Sequence, residues 1–307
     1  MSQESTTFDD EIDLLQLIEV LWKKKIFIIL VTSIFAIFSV FYALSLKNIY
    51  KSEAIVHIPE SEGGETLSGI GGLASMAGIN ISPRGMAKSA IAIETIKSRA
   101  FLKHLISFEN VLPELMAPEK YDSELRKTVF DKRVYDEKTS EWVRKNRSNN
   151  NSKPTYLEAF QIYNKLISVR EDKNSGLLVL SFEHISPVFA EQFLSLIIKE
   201  VNELLRNKDL QESSDAIAFL SSEIPKSSLI TMKDAINQLV QSKLETQMMA
   251  RISSEYILKI IEPPFVPEKK FKPVRSMICI FGTLLGGLLA VIFVLIRHYV
   301  FNDLTSK

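Results

Sequence analysis

The chain has 307 residues, 37 basic against 37 acidic side chains, and 46% hydrophobic residues. Balanced charge excludes the basic excess or stripe on which a nucleic-acid binder depends, so no nucleic-acid partner is expected. The single cysteine, Cys279, excludes an intrachain disulfide and any zinc site built on cysteines.

Residues 1–25 open polar and acidic (Asp9, Asp10, Glu11, Asp13), then set Ile12, Leu15, Ile18, Leu21 and Trp22 near helical spacing. This predicts a short amphipathic helix at a membrane surface, with Trp22 at headgroup level and Lys23, Lys24 and Lys25 beside anionic lipid. A plain polar tail is the alternative. Residues 26–46 carry no charge. At about 1.5 Å per residue, roughly 20 such residues cross a ~30 Å hydrocarbon core. A cleaved signal peptide competes for this run, but its apolar core is usually ~7–15 residues and lacks an acidic leader. A retained transmembrane helix is expected.

From Tyr50 to Pro59, Ala54, Val56 and Ile58 alternate with Glu53, Ile55 and His57, which predicts a strand. The following ESEGGETLSGIGGLASMAGINISPRG is rich in glycine and small residues. It has neither a Gly-Lys-Ser/Thr ending nor a strand–GxGxxG–helix setting, so it does not read as a phosphate cradle. Leu67, Ile70, Leu73, Met76 and Ile79 recur every three residues, so this loop is expected to pack on something apolar, a neighbouring subunit among the options. Met86–Phe108 predicts one helix, ended before Pro113. Residues 113–155 are charged and read as a surface excursion, whose Arg144, Lys145, Arg147 and Lys153 suit either solvent or an anionic saccharide. Leu166–Arg170 and Leu177–Glu183 flank the turn-rich EDKNSG and predict a hairpin whose second strand is central.

Ser186-Pro187 opens a helix, with serine as cap and proline in the first turn. The pattern then stays helical to Ile261, interrupted at Pro225, which predicts an arm of two helices, Val188–Glu223 and about 226–261. Helices of this length cannot be buried in one domain; they project or pack on other chains. Pro263, Pro264, Pro267 and Pro273 then enforce an extended neck at 261–275. Residues 276–296 form the second uncharged run. In it Gly282, Gly286 and Ala290 recur every four residues, with Gly287 beside them, a stripe where another helix can come close. Two spans put both termini on one side. Lys23, Lys24 and Lys25, against Lys47 and Lys51, favour a cytoplasmic N-terminus, whereas Lys269, Lys270, Lys272 and Arg275 oppose it.

The four histidines, His57, His104, His184 and His298, are dispersed, with no HExxH spacing, and no GxSxG elbow occurs. No catalytic, metal-binding or cofactor residue is expected, and no enzymatic activity.

Four stretches carry a resemblance: DDEIDLLQLIEVLWKKK, YKSEAIVHI, SGLLVLSFEHISPVFAEQFLSLIIKEVNELL, and the proline neck followed by Leu-Leu-Gly-Gly. In this order they resemble the polysaccharide co-polymerases of Gram-negative inner membranes, the Wzz-type chain-length determinants of lipopolysaccharide O-antigen. The region 110–160 departs most, and the uneven spacing of Pro267 and Pro273 leaves neck geometry open. The resemblance implies a membrane α-helical protein with two transmembrane helices, 26–46 and 276–296, and cytoplasmic tails at 1–25 and 297–307. Between the spans it implies a periplasmic α+β domain, 47–275, whose long helices form an arm at about 187–261 above the neck. It also implies a homo-oligomeric ring without cofactors, acting among membrane lipids with the O-antigen polymerase on an undecaprenyl-linked polysaccharide to set the number of sugar repeats. GGLASMAGI further resembles larger exopolysaccharide co-polymerases fused to a tyrosine kinase, although no kinase region is read in this sequence. A membrane component of a capsule or exopolysaccharide polymerisation and export system is therefore the second expectation.

Overall fold

The computed structural model describes residues 14–59, 84–144, 153–226 and 230–305. In chain order these form α1 (Leu14–Lys23), α2 (Lys25–Ser45), β1 (Tyr50–His57), α3 (Arg84–Ile96), α4 (Arg99–Leu105), α5 (Val111–Met116), β2 (Pro118–Asp122) and β3 (Lys127–Phe130). There follow β4 (Tyr135–Asp136), β5 (Glu141–Trp142), α6 (Tyr156–Leu166), β6 (Ile167–Glu171), β7 (Leu178–His184) and α7 (Pro187–Glu223). A turn of 3-10 helix, α8 (Ile230–Ile252), β8 (Lys259–Glu262) and α9 (Arg275–Thr305) complete the chain. Two compact units result: Met1–Asn48 with Phe271–Lys307, and Ile49–Lys270.

The first unit is built on the pairing of α2 with α9. Lys25–Ser45 and Arg275–His298 are each long and apolar enough to cross a membrane, close to the two uncharged runs read in the sequence. Lys24, at φ −106° and ψ 16°, breaks the helix for one residue between α1 and α2.

The second unit centres on an antiparallel sheet of order β6-β7-β1-β8. Alternation along β1 buries Ser52, Ala54 and Val56, and Ala54 and Val56 stand opposite Leu180 and Leu178 of β7. Lying between β6 and β1, β7 is central, as its apolar sequence predicts. The β6–β7 turn closes on Gly176 at φ 69°, a left-handed conformation that glycine adopts without penalty. Over this sheet Phe182, Phe189, Phe193 and Tyr163 form one aromatic cluster, with Phe182 and Phe193 ring centroids 4.8 Å apart. The Tyr163 hydroxyl is satisfied by donating to the Ile96 carbonyl at 2.8 Å.

Ser186 accepts a hydrogen bond from the Phe189 N–H and caps α7, with Pro187 at the first helical position. The helix has 37 residues, about 55 Å of rise. Its root is buried on Phe189, Ala190, Phe193, Leu194, Ile197, Ile198, Val201 and Leu205. Beyond Leu205, Ser213 is the one buried residue of α7 among those described, so its distal half leaves the core.

Three expectations are corrected. Met86–Phe108 is not one helix: Ser98, at φ −81° and ψ 149°, ends α3, and its hydroxyl accepts from the Phe101 N–H to start α4. The bend lets Ile96, Phe101, Leu102 and Leu105 all reach the core, and Pro113 lies in the first turn of α5, where its missing N–H costs nothing. The second arm helix ends at Ile252, not near 261; β-branched Ile260 and Ile261 enter β8, which pairs Val56 with Ile260. Finally, residues 113–144 are not only a loop. They fold into the β2–β3 and β4–β5 hairpins, with the Tyr135 ring 5.0 Å from Trp142.

Residues 60–83 of the glycine-rich stretch, with Leu67, Ile70, Leu73, Met76 and Ile79, lie outside the described residues, as do Lys145 and Arg147. Of the other basic residues in that region, Arg144 forms an ion pair with Glu158, and Lys153 is exposed.

Candidate functional site

Two places combine unusual residues with close geometry: the seam between α2 and α9, and the root of the arm. In the seam, a Cβ built on Gly282 would lie 2.5 Å from the Ser39 Cβ, and one on Gly286 would overlap Phe35 at Cβ and Cγ. Only glycine allows this backbone approach. Gly287 is different, because a Cβ there would meet Thr32 Oγ1 at an ordinary 3.6 Å. Ala290, Ala43 and Ser39 are buried in the same seam, and Phe27 stacks on Phe293 at 5.6 Å towards one end. The close partner of the small-residue stripe is thus the chain's own first span.

Arg275, at the start of α9, closes the other end. Its Nε donates to the Ala43 carbonyl at 3.1 Å and its Nη2 to Asn48 Oδ1 at 3.1 Å. Ala43 lies among the last four residues of α2, whose carbonyls have no intrahelical donor. One of the basic residues that opposed the topological reading therefore has a structural role as a helix cap.

The membrane-surface candidates are all exposed. Trp22 has Lys25 Nζ 4.9 Å above its ring, Lys23 pairs with Glu19 at 2.7 Å, and Lys24, between α1 and α2, forms no ion pair among the described residues. The Lys23 ammonium lowers the Glu19 carboxyl below its ordinary range.

At the arm root, buried polar groups fix α7 to everything around it. His184 Nε2–H donates to the Glu114 carbonyl at 2.9 Å, while Nδ1 accepts from the Ser186 N–H at 3.1 Å. Both ring nitrogens are spent on the neutral tautomer, and burial pushes the imidazole down to about 4. The Glu114 carboxyl is pushed the other way, to about 7, by desolvation, with the Glu137 charge adding and the Thr128 hydroxyl opposing. Glu114 Oε2 and Thr128 Oγ1 are buried, and neither reaches full hydrogen-bond geometry with a partner among the described residues. On the next turns, buried Glu200 meets His104 Nε2 at 2.7 Å. Asn202, 4% exposed, accepts from the Ile257 and Leu258 N–H groups at 2.9 and 2.8 Å and donates to the Leu258 carbonyl at 3.0 Å. Tyr256 adds a hydroxyl donated to Asp209 Oδ2 at 2.6 Å; burial first, then Asp209, raise its pKa.

The neck prolines divide between the units. Pro263, Pro264 and Pro267 belong to the second, where Pro267 is buried and the Ser52 hydroxyl holds the strand by donating to the Phe265 carbonyl at 2.8 Å. Pro273 belongs to the first. Among the described residues no cluster of three His, Cys, Asp or Glu side chains is placed to hold a metal. The arrangement is mechanical: it holds a long helix rigidly at one end. Asn202, His184 and the capping role of Arg275 were not singled out from sequence. The one available signal was polarity in an apolar setting, Asn202 following Ile198 and Val201.

Residues 10–108 match the family of the chain length determinant protein, Wzz. The match spans α1, α2, β1, α3 and α4 and covers about a third of the chain. The tyrosine-protein kinase etk of Escherichia coli O157:H7 is 32% identical over 116 residues, 38% of this chain and 15% of that protein. The same kinase from Escherichia coli K12 is 32% identical over 106 residues, 34% of this chain and 14% of the relative. The chain thus spans about one seventh of the length of the curated relatives it matches. Among solved structures, a full-length bacterial polysaccharide co-polymerase aligns over 94% of this chain and 99% of its own, at 14% identity and a TM-score of 0.42. A fragment of WzzB, a polysaccharide co-polymerase from Salmonella Typhimurium, aligns over 73% of this chain and all of its own, at 12% identity and a TM-score of 0.32.

Proposed function

We propose that this protein regulates the chain length of an O-antigen polysaccharide, as an oligomeric inner-membrane scaffold working with the polymerase rather than as an enzyme. The observation that carries the reading is the Wzz-family match over residues 10–108, which runs through the first candidate span and the first strand of the sheet. Both termini are cytoplasmic in this reading, and the domain between the spans is periplasmic. The rigid arm root supports a scaffold role, because a lever fixed by Asn202 and His184 carries geometry between subunits. Exposed Phe219, Ile230, Leu239, Met248, Met249 and Ile252 along the arm supply apolar surface for a homo-oligomeric ring. With the Gly282–Gly286 face occupied by α2, contact with the polymerase falls to other faces of the spans, where Phe38, Phe41 and Phe281 are exposed. Trp22, Lys23, Lys24 and Lys25 hold the N-terminal helix at the lipid surface, and the polymer acted on is undecaprenyl-linked.

A second reading is a membrane component of capsule or exopolysaccharide polymerisation and export, supported by the resemblance of GGLASMAGI to exopolysaccharide co-polymerases fused to a tyrosine kinase and by the similarity to a tyrosine-protein kinase. Lipopolysaccharide and secreted polymer from cells with and without the gene separate the two. Collapse of a long-chain cluster to a short, decaying ladder supports the first, and altered secreted polymer with an unchanged ladder supports the second.

A further inference from the structure

A cleft of about 420 Å³ opens in the second unit between the root of α7 and the chain that follows α8. Its volume lies in the lower part of the roughly 300–1,000 Å³ range of small-ligand sites. One wall is the α7 face bearing Glu191, Ser195, Lys199, Glu203 and Arg206; the other includes Glu255, Ile260 and Pro263. Two of the charges are already engaged. Glu191 Oε1 accepts from the Ser195 hydroxyl at 3.1 Å, and Glu255 Oε2 accepts from the Ile260 N–H at 3.1 Å. Lys199, Glu203 and Arg206 stand at i, i+4 and i+7 and form no ion pair or hydrogen bond among the described residues. Three long side chains at a concave surface thus keep all their hydrogen-bonding capacity.

The composition selects the ligand. A simple anion would meet the carboxylates of Glu191, Glu203 and Glu255, and a simple cation would meet Lys199 and Arg206. A sugar meets neither objection, since each hydroxyl donates to a carboxylate and accepts from an ammonium or guanidinium. Its C–H face packs on an apolar wall such as Ile260 and Pro263. We propose that this cleft binds a disaccharide-sized stretch of a neutral or zwitterionic glycan. The inference rests on the polysaccharide reading above and deepens it: the polymer would be held at the base of the arm, against the first prolines of the neck.

The test uses the full chain in nanodiscs, titrated calorimetrically with short oligosaccharides from the host's O-chains and, separately, from its secreted polymer. The expected result is binding of one of the two, at least about tenfold weaker in a Glu203→Gln/Arg206→Gln variant, the loss of roughly one charge-assisted hydrogen bond. A Lys208→Gln control, outside the cleft, should bind as the parent does. No binding of either oligosaccharide, or equal binding by the cleft variant, would overturn the proposal. So would a changed oligomer mass in that variant with glycan affinity intact, since a second copy would then fill the cleft. If gene deletion alters the ladder while the chain binds no sugar, the cleft fails and the chain-length reading stands. If deletion alters neither polymer, the reading itself fails.

Discussion

A matched pair of substitutions, Gly286→Ala and Gly287→Ala, isolates the packing of the two spans. Both replace a glycine by the same residue in the same turn of α9, so the gain in helix propensity, ~1 kcal/mol in water, is common to both and cancels in the comparison. The seam does not treat them alike. At Gly286 the new methyl would overlap Phe35 Cβ and Cγ, atoms at the base of the side chain that cannot swing away, with Phe35 Cδ2 at 3.3 Å besides. At Gly287 the nearest atom is Thr32 Oγ1 at 3.6 Å, an ordinary contact. Relieving the first overlap requires α2 and α9 to separate, an overpacking cost of about 1–3 kcal/mol; the second substitution should stay within about 0.5 kcal/mol. The assay is reversible unfolding of the full chain in mixed micelles titrated with SDS, followed by circular dichroism. Gly286→Ala should unfold at clearly lower SDS than Gly287→Ala. Equal midpoints, or a greater loss at Gly287, would refute the proposed seam.

Asn202→Leu leaves two buried N–H groups and a carbonyl of Ile257 and Leu258 without partners. At about 1–3 kcal/mol for each unsatisfied group, it should cost at least ~3 kcal/mol in urea unfolding and speed amide exchange at those two residues. Glu114, raised to about 7, is protonated in the folded chain and ionised in the unfolded one between pH 4.5 and 7, so stability falls as pH rises through that window. Glu114→Gln should therefore gain up to ~3 kcal/mol over the parent at pH 8 and nothing at pH 4, a difference that thermal or urea unfolding at the two pH values reads directly. His184, lowered to about 4, acts oppositely. Its contribution is intact above pH 6.5 and is lost as pH falls towards 4, so the Glu114→Gln variant should show one falling limb, on the acid side alone. Arg275→Gln removes a guanidinium donor from the Ala43 carbonyl, and a spin label at residue 46 should gain mobility while one at residue 30 does not.

The sequence was legible where one strong local cause acted. Apolar length gave α2 and α9, period-two burial gave β1, and Ser186-Pro187 gave the start of α7. It was misleading where long-range partners decided. The helical pattern of the arm continues past Ile252, yet pairing with β1 and capping by Asn202 draw residues 257–262 into irregular chain and strand. Ser98 looked like one polar residue in a helix until its cap geometry divided Met86–Phe108 in two. At the candidate site the small-residue stripe was visible, but its occupant was not. Spacing alone marks a face on which a helix can approach and says nothing of which helix. Arg275 was read as a topological charge because a capping arginine and an orienting one look alike in sequence. The cleft was illegible for a plainer reason: its two walls are separated by about fifty residues and meet only through the return of the arm.

The most direct test of the account is a lipopolysaccharide ladder from cells carrying the gene, lacking it, and lacking it but complemented. The account predicts a cluster of long O-chains with the gene, a short, decaying ladder without it, and restoration on complementation. An unchanged ladder in the deletion strain, whatever happens to secreted polymer, would contradict O-antigen length control by this protein.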